Sequence, residues 1–217
     1  MMWGRLFLLE ERMRTPGSMK GLEELGRVRL SKNFFLRDFL FSEIANFYGI
    51  PNIPEDPDLA IEAGRHLCEE LLEPLQATFG RLHLRSGYRC AKVNEFGNKN
   101  NLNCSSNANT AADHIWDRRD AQGFMGATAC VVFPWLIDNY NDDGDWQKMV
   151  WWIHDHLPYS SIMVFPKLWA MNIQWHERPI RRIRSFAEPR GVLTKIGMPN
   201  NEGDHSEHYI GFPALKR

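Results

Sequence analysis

At 217 residues with 43% hydrophobic side chains, the chain can bury one substantial core, and a net charge of -1 lacks the basic excess of a dedicated nucleic-acid binder. Its four cysteines form no Cys-x-x-Cys pair, which removes zinc-knuckle and dithiol redox chemistry. No run approaches the roughly 18 apolar residues of a membrane span, and the short apolar stretch at 3–9 meets Glu10, Glu11 and Arg12 without the small-residue cleavage site of a signal peptide.

Met19 offers a second start, and residues 1–29 read as a poorly ordered leader. From Leu30 to Phe39 an extended lead-in passes into a helical turn or two through Ser42-Glu43-Ile44-Ala45, stopped by Tyr48-Gly49-Ile50-Pro51. Asp56 before Pro57 starts a helix, with an acid as N-cap and proline in the first helical position. Ala60, Gly64, Leu67, Leu71 and Leu75, widened by Leu72 and Phe79, predict one amphipathic helix ending near Gly80. Leu82 and Leu84 predict a buried strand that breaks at Ser86-Gly87, where glycine supplies angles that side chains forbid. Arg89 leaves that turn at the mouth of a sheet, a place where a guanidinium can grip a carboxylate by two parallel hydrogen bonds; the competing reading is that it braces its loop.

Residues 98–107 form a polar, asparagine-rich loop, followed by Asp113-His114-Ile115-Trp116-Asp117. From Asp145 to Leu157 the stripe Trp146, Met149, Val150, Ile153 and Leu157 predicts a helix capped by Asp145. His154 and His156 are two residues apart and point in different directions, which speaks against a chelating pair. His156 falls in the last turn, where the helix dipole favours a cation. Residues 160–165 predict a strand, and in 169–176 Trp169, Met171, Ile173 and Trp175 alternate with Ala170, Asn172, Gln174 and His176. The remainder reads as an extended tail with one strand and turns at 188–191 and 199–203. Its Arg178, Arg181, Arg182, Arg184, Arg190 and Lys195 read as a solvated edge, and His205 and His208 share a polar loop.

The succession Leu30-Ser31-x-x-Phe34, Asp38 before Phe39, Gly49-Ile50-Pro51-Asn52, Leu72-Glu73-Pro74-Leu75, and Ser86-Gly87-Tyr88-Arg89 followed by Asn94 resembles the zinc D-alanyl-D-alanine peptidases related to the hedgehog signalling domain, especially phage and prophage members. The resemblance covers residues 30 to about 94. It implies an α+β fold, a small antiparallel sheet with packed helices, in a domain over 30–186 with a C-terminal extension at 187–217 packed on it. It also implies peptidoglycan peptide as substrate, with Arg89 beside the metal and facing the substrate, and Ser86, Tyr88 and Asn94 around it.

That family continues with Ser-x-His-x-x-Gly-x-Ala-x-Asp, which supplies two zinc ligands, then a helix, then a strand pair with a glutamate base and a final histidine ligand. This sequence departs from the pattern, and two registers compete. One makes His114 the first ligand and Asp120 the second, one residue closer than the family spacing. The other lays Gly126-x-Thr128-x-Cys130-Val131 on the Gly-x-Ala-x-Asp stretch, fits the surrounding text better, and leaves Gly123 and Cys130 at the ligand positions. Leu157-Pro158-Tyr159 matches the family's Leu-Pro-Phe, and the glutamate would fall near Val164 or Phe165, where no acid stands. Direct alignment places Gln174 at the last histidine, with His176 one pleat further on the same face. A shift of two preserves the facing, so His114, Asp120 and His176 form a candidate zinc set, whose open fourth position would hold the water that a catalytic zinc activates. Glu177 is the nearest spare carboxylate for proton transfer, though alternation turns it to the opposite face.

Two functions stand as expectations. One is a peptidoglycan-directed zinc peptidase, with Arg89 holding a substrate carboxylate or stabilising the developing oxyanion. The other is a catalytically degenerate member acting as a phage virion or wall-binding protein, with a virion assembly partner. In either case the phage setting implies a protein made in the bacterial cytoplasm and released by lysis or packaged in a particle.

Overall fold

A computed structural model describes residues 13–140 and 145–216. Helix α1 (Met19–Gly26) is capped by Ser18, whose hydroxyl accepts from the Gly21 amide at 3.1 Å, and its Leu25 enters the core. The expected leader therefore contains an ordered, capped helix; residues 1–12 lie outside the described residues. A 3₁₀ turn at Leu36–Phe39 leads to α2 (Glu43–Tyr48), capped by Ser42 and closed by Gly49 at φ +64°.

The stripe from residue 57 forms α3 (Pro57–Leu67) and α4 (Glu73–Phe79), joined without a break by a π turn at Cys68–Leu72. Pro74 explains the widening. It has no amide hydrogen to offer Glu70 and its ring would crowd that carbonyl, while the Glu73 amide reaches back five residues to Cys68. The later helices are α5 (Ala91–Lys99), α6 (Asn107–Thr110), α7 (Pro134–Asn139) and α8 (Trp146–His156). Asp145 precedes α8 without a side-chain cap and pairs with Lys148 at 3.2 Å.

The fold is α+β. Strands β1 (His83–Ser86), β2 (Gly126–Val132), β3 (Ser161–Val164), β4 (Met171–His176), β5 (Arg182–Ser185) and β6 (Gly191–Thr194) form one sheet in the order β1-β2-β4-β3-β5-β6. All neighbours are antiparallel except β3 and β5. Ala127, Ala129 and Val131 of β2 and Met171, Ile173 and Trp175 of β4 are buried, and both strands pack on α3. The sheet crosses the boundary expected at residue 187, because β6 pairs with β5.

Two expectations about the Ser86-Gly87 stretch change. Strand β1 is the sheet's edge and only half-buried, and Gly87 is required by close approach: a Cβ there would lie 2.7 Å from Phe39 Cδ1. Among the described residues no helix is long and apolar enough to cross a membrane.

Candidate functional site

A cleft of about 860 Å³ opens on the polar face of the sheet. Strand pairing builds its floor, because Thr128 faces Gln174, Gln174 faces Ser161 and Ser161 faces Arg182, a rank of polar side chains across four strands. Residues 108–109, 111–113 and 120–122 form one wall, and 178–180 with 182 and 195–196 the other. The first wall is sewn to the floor: Gln174 Nε2 donates to the Ala112 carbonyl at 3.1 Å, the Thr128 amide to the Asp113 carbonyl at 3.0 Å, and the Thr128 hydroxyl to the Asp113 carboxylate. Only glycine fits at 126, since a Cβ would run into the Ala112 carbonyl oxygen and lie 2.8 Å from His176 Cδ2.

His114 is buried directly behind this floor. Its Nδ1 faces the Gly87 carbonyl at 2.9 Å, and a carbonyl only accepts, so Nδ1 carries the proton and Nε2 the lone pair. That lone pair receives the Asn172 amide, Nδ2 to Nε2, at 3.1 Å. Burial pushes His114 below the ordinary histidine value; the Asp113 carboxylate opposes this and the Arg89 guanidinium adds to it.

His176 and Asp120 meet elsewhere, at 3.2 Å. Asp120 Oδ1 accepts from the amides of Phe124 at 2.9 Å and Gln122 at 2.8 Å, closing the turn that Gly123 takes at φ +88°. These bonds, the Phe124 amide first, hold the Asp120 carboxyl below its usual range. His176 Nδ1 lies 3.0 Å from the Arg178 amide nitrogen and 3.1 Å from the Arg178 carbonyl oxygen, and its Nε2 faces Asp120. His176 lies four residues along β4 from Asn172, about 13 Å of strand. The candidate zinc set thus splits into the His176–Asp120 pair and a separate His114, and its ligand atoms do not gather within 4.8 Å of one another. A single zinc ion does not fit it, because the His114 lone pair is taken by the Asn172 amide while His176 and Asp120 stand apart from it.

The remaining sequence candidates lie outside the cleft. Arg89 donates Nη1 to Asn94 Oδ1 at 3.2 Å and lies 2.9 Å from Cys104 Sγ, which is the loop-bracing arrangement. Asn94 is fully buried and gives Nδ2 to the Ser105 carbonyl at 2.9 Å and to Asn107 Oδ1 at 2.8 Å, so it organises the asparagine-rich loop instead of meeting a substrate. Tyr88 is buried against Trp116, and burial with the nearby Asp117 carboxylate drives its hydroxyl far above the usual phenol value. Ser86 is the last residue of β1, paired opposite Cys130. Glu177 Oε2 accepts from the Met125 amide at 2.6 Å and pairs with Arg119 at 3.5 Å, facing away from His176. Of the second register's ligand positions, Gly123 is an exposed turn and Cys130 a buried strand residue.

Among the described residues one group of three metal-type side chains does converge, His154, Asp155 and His205. His154 Nδ1 meets the Tyr159 hydroxyl at 2.6 Å and Nε2 the Asn201 carbonyl at 3.1 Å; His205 Nδ1 meets Asp155 Oδ1 at 2.6 Å and Nε2 the Asn200 carbonyl at 3.1 Å. Every ring nitrogen is engaged, and the group works as a clasp between α8 and the C-terminal segment. Burial would raise the Asp155 carboxyl, yet the hydrogen bonds from His205 and Tyr209 prevail and hold it below the usual range.

Sequence reasoning passed over Asn172 and Arg182. Alternation had put Asn172 on the correct face, but without the position of His114 nothing set it above Gln174; Arg182 was submerged in a basic run. Set against known proteins, the chain matches no family model, no curated protein and no solved structure.

Proposed function

We propose that the chain is a peptidoglycan-binding protein built on the D-Ala-D-Ala peptidase frame, in which the position of the metal centre has become part of a peptide-binding floor. The observation that carries this reading is the 3.1 Å bond from the Asn172 amide to the His114 lone pair, the electron pair a zinc ion would need. The family pattern Ser-x-His-x-x-Gly-x-Ala-x-Asp supports it. It falls without a gap on Ser105-x-Asn107-x-x-Thr110-x-Ala112-x-His114, with an amide at the first ligand position and a histidine in place of the aspartate. In this register Asn172, not Gln174 or His176, stands for the last histidine. The cleft offers what a peptide backbone uses, the Ser161 hydroxyl and the Gln174 side-chain oxygen, between charged ends. A wall-binding role in a phage particle, with an assembly partner there, follows from the resemblance.

The test uses protein purified without chelator. Metal content by mass spectrometry should stay far below one zinc per chain, and the protein should sediment with insoluble peptidoglycan without releasing fragments. About one zinc per chain, lost in His114→Ala, together with cleavage products, would instead establish the peptidase.

A further inference from the structure

Most described arginines near this site are engaged. Arg118 pairs with Glu55 at 3.1 Å, Arg119 with Glu177, and Arg190 with Glu188 at 2.9 Å. Arg181 donates Nη1 to the Leu157 carbonyl at 2.7 Å and lies over the Tyr159 ring. The cations lining the cleft differ. Arg182 has its Nε buried without a hydrogen-bond partner, and among the described residues no acid or carbonyl engages its guanidinium. Among the described residues Lys195 beside it has no ion pair, and the Arg178 guanidinium has no partner but the Phe124 ring, 5.1 Å from its centre. A partly buried guanidinium left without an acceptor calls for one, and the acceptor that suits its planar fork is a carboxylate or phosphate.

The strand rank supplies a direction. From Thr128 to Arg182 there are three inter-strand steps of about 4.8 Å, roughly 14 Å, the length of about four extended residues. Positive charge stands at the Arg182 end, and the Asp113 carboxylate stands at the Thr128 end. We infer that Arg182, with Lys195 and Arg178 around it, forms a carboxylate subsite that takes the free C-terminus of a short extended peptide laid across the sheet. A cationic side chain nearer the peptide's other end then meets Asp113. This deepens the peptide-binding reading above and rests on it, but it assigns the anion to Arg182 and not to Arg89, whose guanidinium is already bound to Asn94.

The experiment is calorimetric titration of the full chain with an N-acetylated lysyl-D-alanyl-D-alanine peptide as the free acid and as its C-terminal amide, with inorganic phosphate as competitor. Wild type should bind the acid at least tenfold more tightly than the amide. Arg182→Gln should erase that preference and Lys195→Gln reduce it, while Arg190→Gln, altering an exposed pair outside the cleft, should leave it intact. Lys195→Gln changes an exposed side chain and keeps the test open should Arg182→Gln fold poorly. Equal binding of acid and amide, or full preference in both cleft variants, overturns the subsite while sedimentation with peptidoglycan still upholds wall binding. Displacement of the peptide by equimolar phosphate assigns the subsite to free phosphate and overturns the peptide terminus. Loss of both peptide binding and sedimentation overturns the two readings together.

Discussion

His114 has one proton and one lone pair, and the fold commits both, to Gly87 and to Asn172. Asn172→Ala should therefore destabilise the protein by about 1–3 kcal/mol in urea denaturation at pH 7.5, because it strands a buried acceptor. No loss of stability would mean that the amide is incidental to His114. The pH dependence follows from the same burial. A histidine held below its ordinary 6.5 binds fewer protons folded than unfolded, so its stabilising effect is complete above that value and is lost as pH falls below it. His154, also lowered chiefly by burial, acts in the same direction. Asp117, raised by burial, acts the opposite way, its contribution fading as pH rises from the ordinary carboxylate value of 3.8. Between pH 7.5 and 5.5 the urea midpoint should fall, and His114→Gln should flatten the slope; an unchanged slope would show that His114 is not what titrates.

Among the elements, those with a strong period were legible before the fold was known. The helical stripe over 57–79 was one; its π turn was not foreseen, since it arises where Pro74 meets an otherwise regular stripe. The alternation of 169–176 gave the faces of β4 correctly, because one face is apolar. Strand β2 carries no alternation, being buried throughout, so its Gly-x-Thr-x-Cys text reads in sequence like a motif. The reason for Gly126 was equally hidden, since the Ala112 carbonyl that crowds it arrives from a loop fourteen residues upstream. Gly126→Ala should cost about 1–3 kcal/mol through overpacking against backbone, and should weaken peptide binding as well, because Ala112 anchors the cleft wall. A variant that melts lower but keeps full affinity would separate the wall from the floor. The site itself was the least legible part, because which amide meets which imidazole depends on how two segments 58 residues apart are brought together.

Taken as a whole, the molecule closes its core with its own C-terminal segment. Trp152 Nε1 donates to the Pro213 carbonyl at 3.0 Å, the Lys216 amide to Thr78 Oγ1 at 3.0 Å, and the Tyr209 hydroxyl to Asp155 at 2.8 Å. Sequence suggested an extension lying on a finished domain, yet Trp151 and Trp152 of α8 owe much of their covering to this segment: His205 and His208 stack on Trp151 at 4.5 and 5.2 Å. Asp155→Ala removes the acceptor for a largely buried histidine, a backbone amide and a tyrosine, and should cost about 3 kcal/mol. The stronger test ends the chain at residue 198, keeping all six strands. If the segment completes the core, this shorter chain should unfold at a much lower urea concentration, and its tryptophan emission should shift to the red as α8 is uncovered. Because β6 and the cleft residues Lys195 and Ile196 connect directly into the segment, its peptide affinity should fall as well. An unchanged midpoint and emission would instead make residues 199–216 an appendage, leaving the sheet and its helices to hold the cleft unaided.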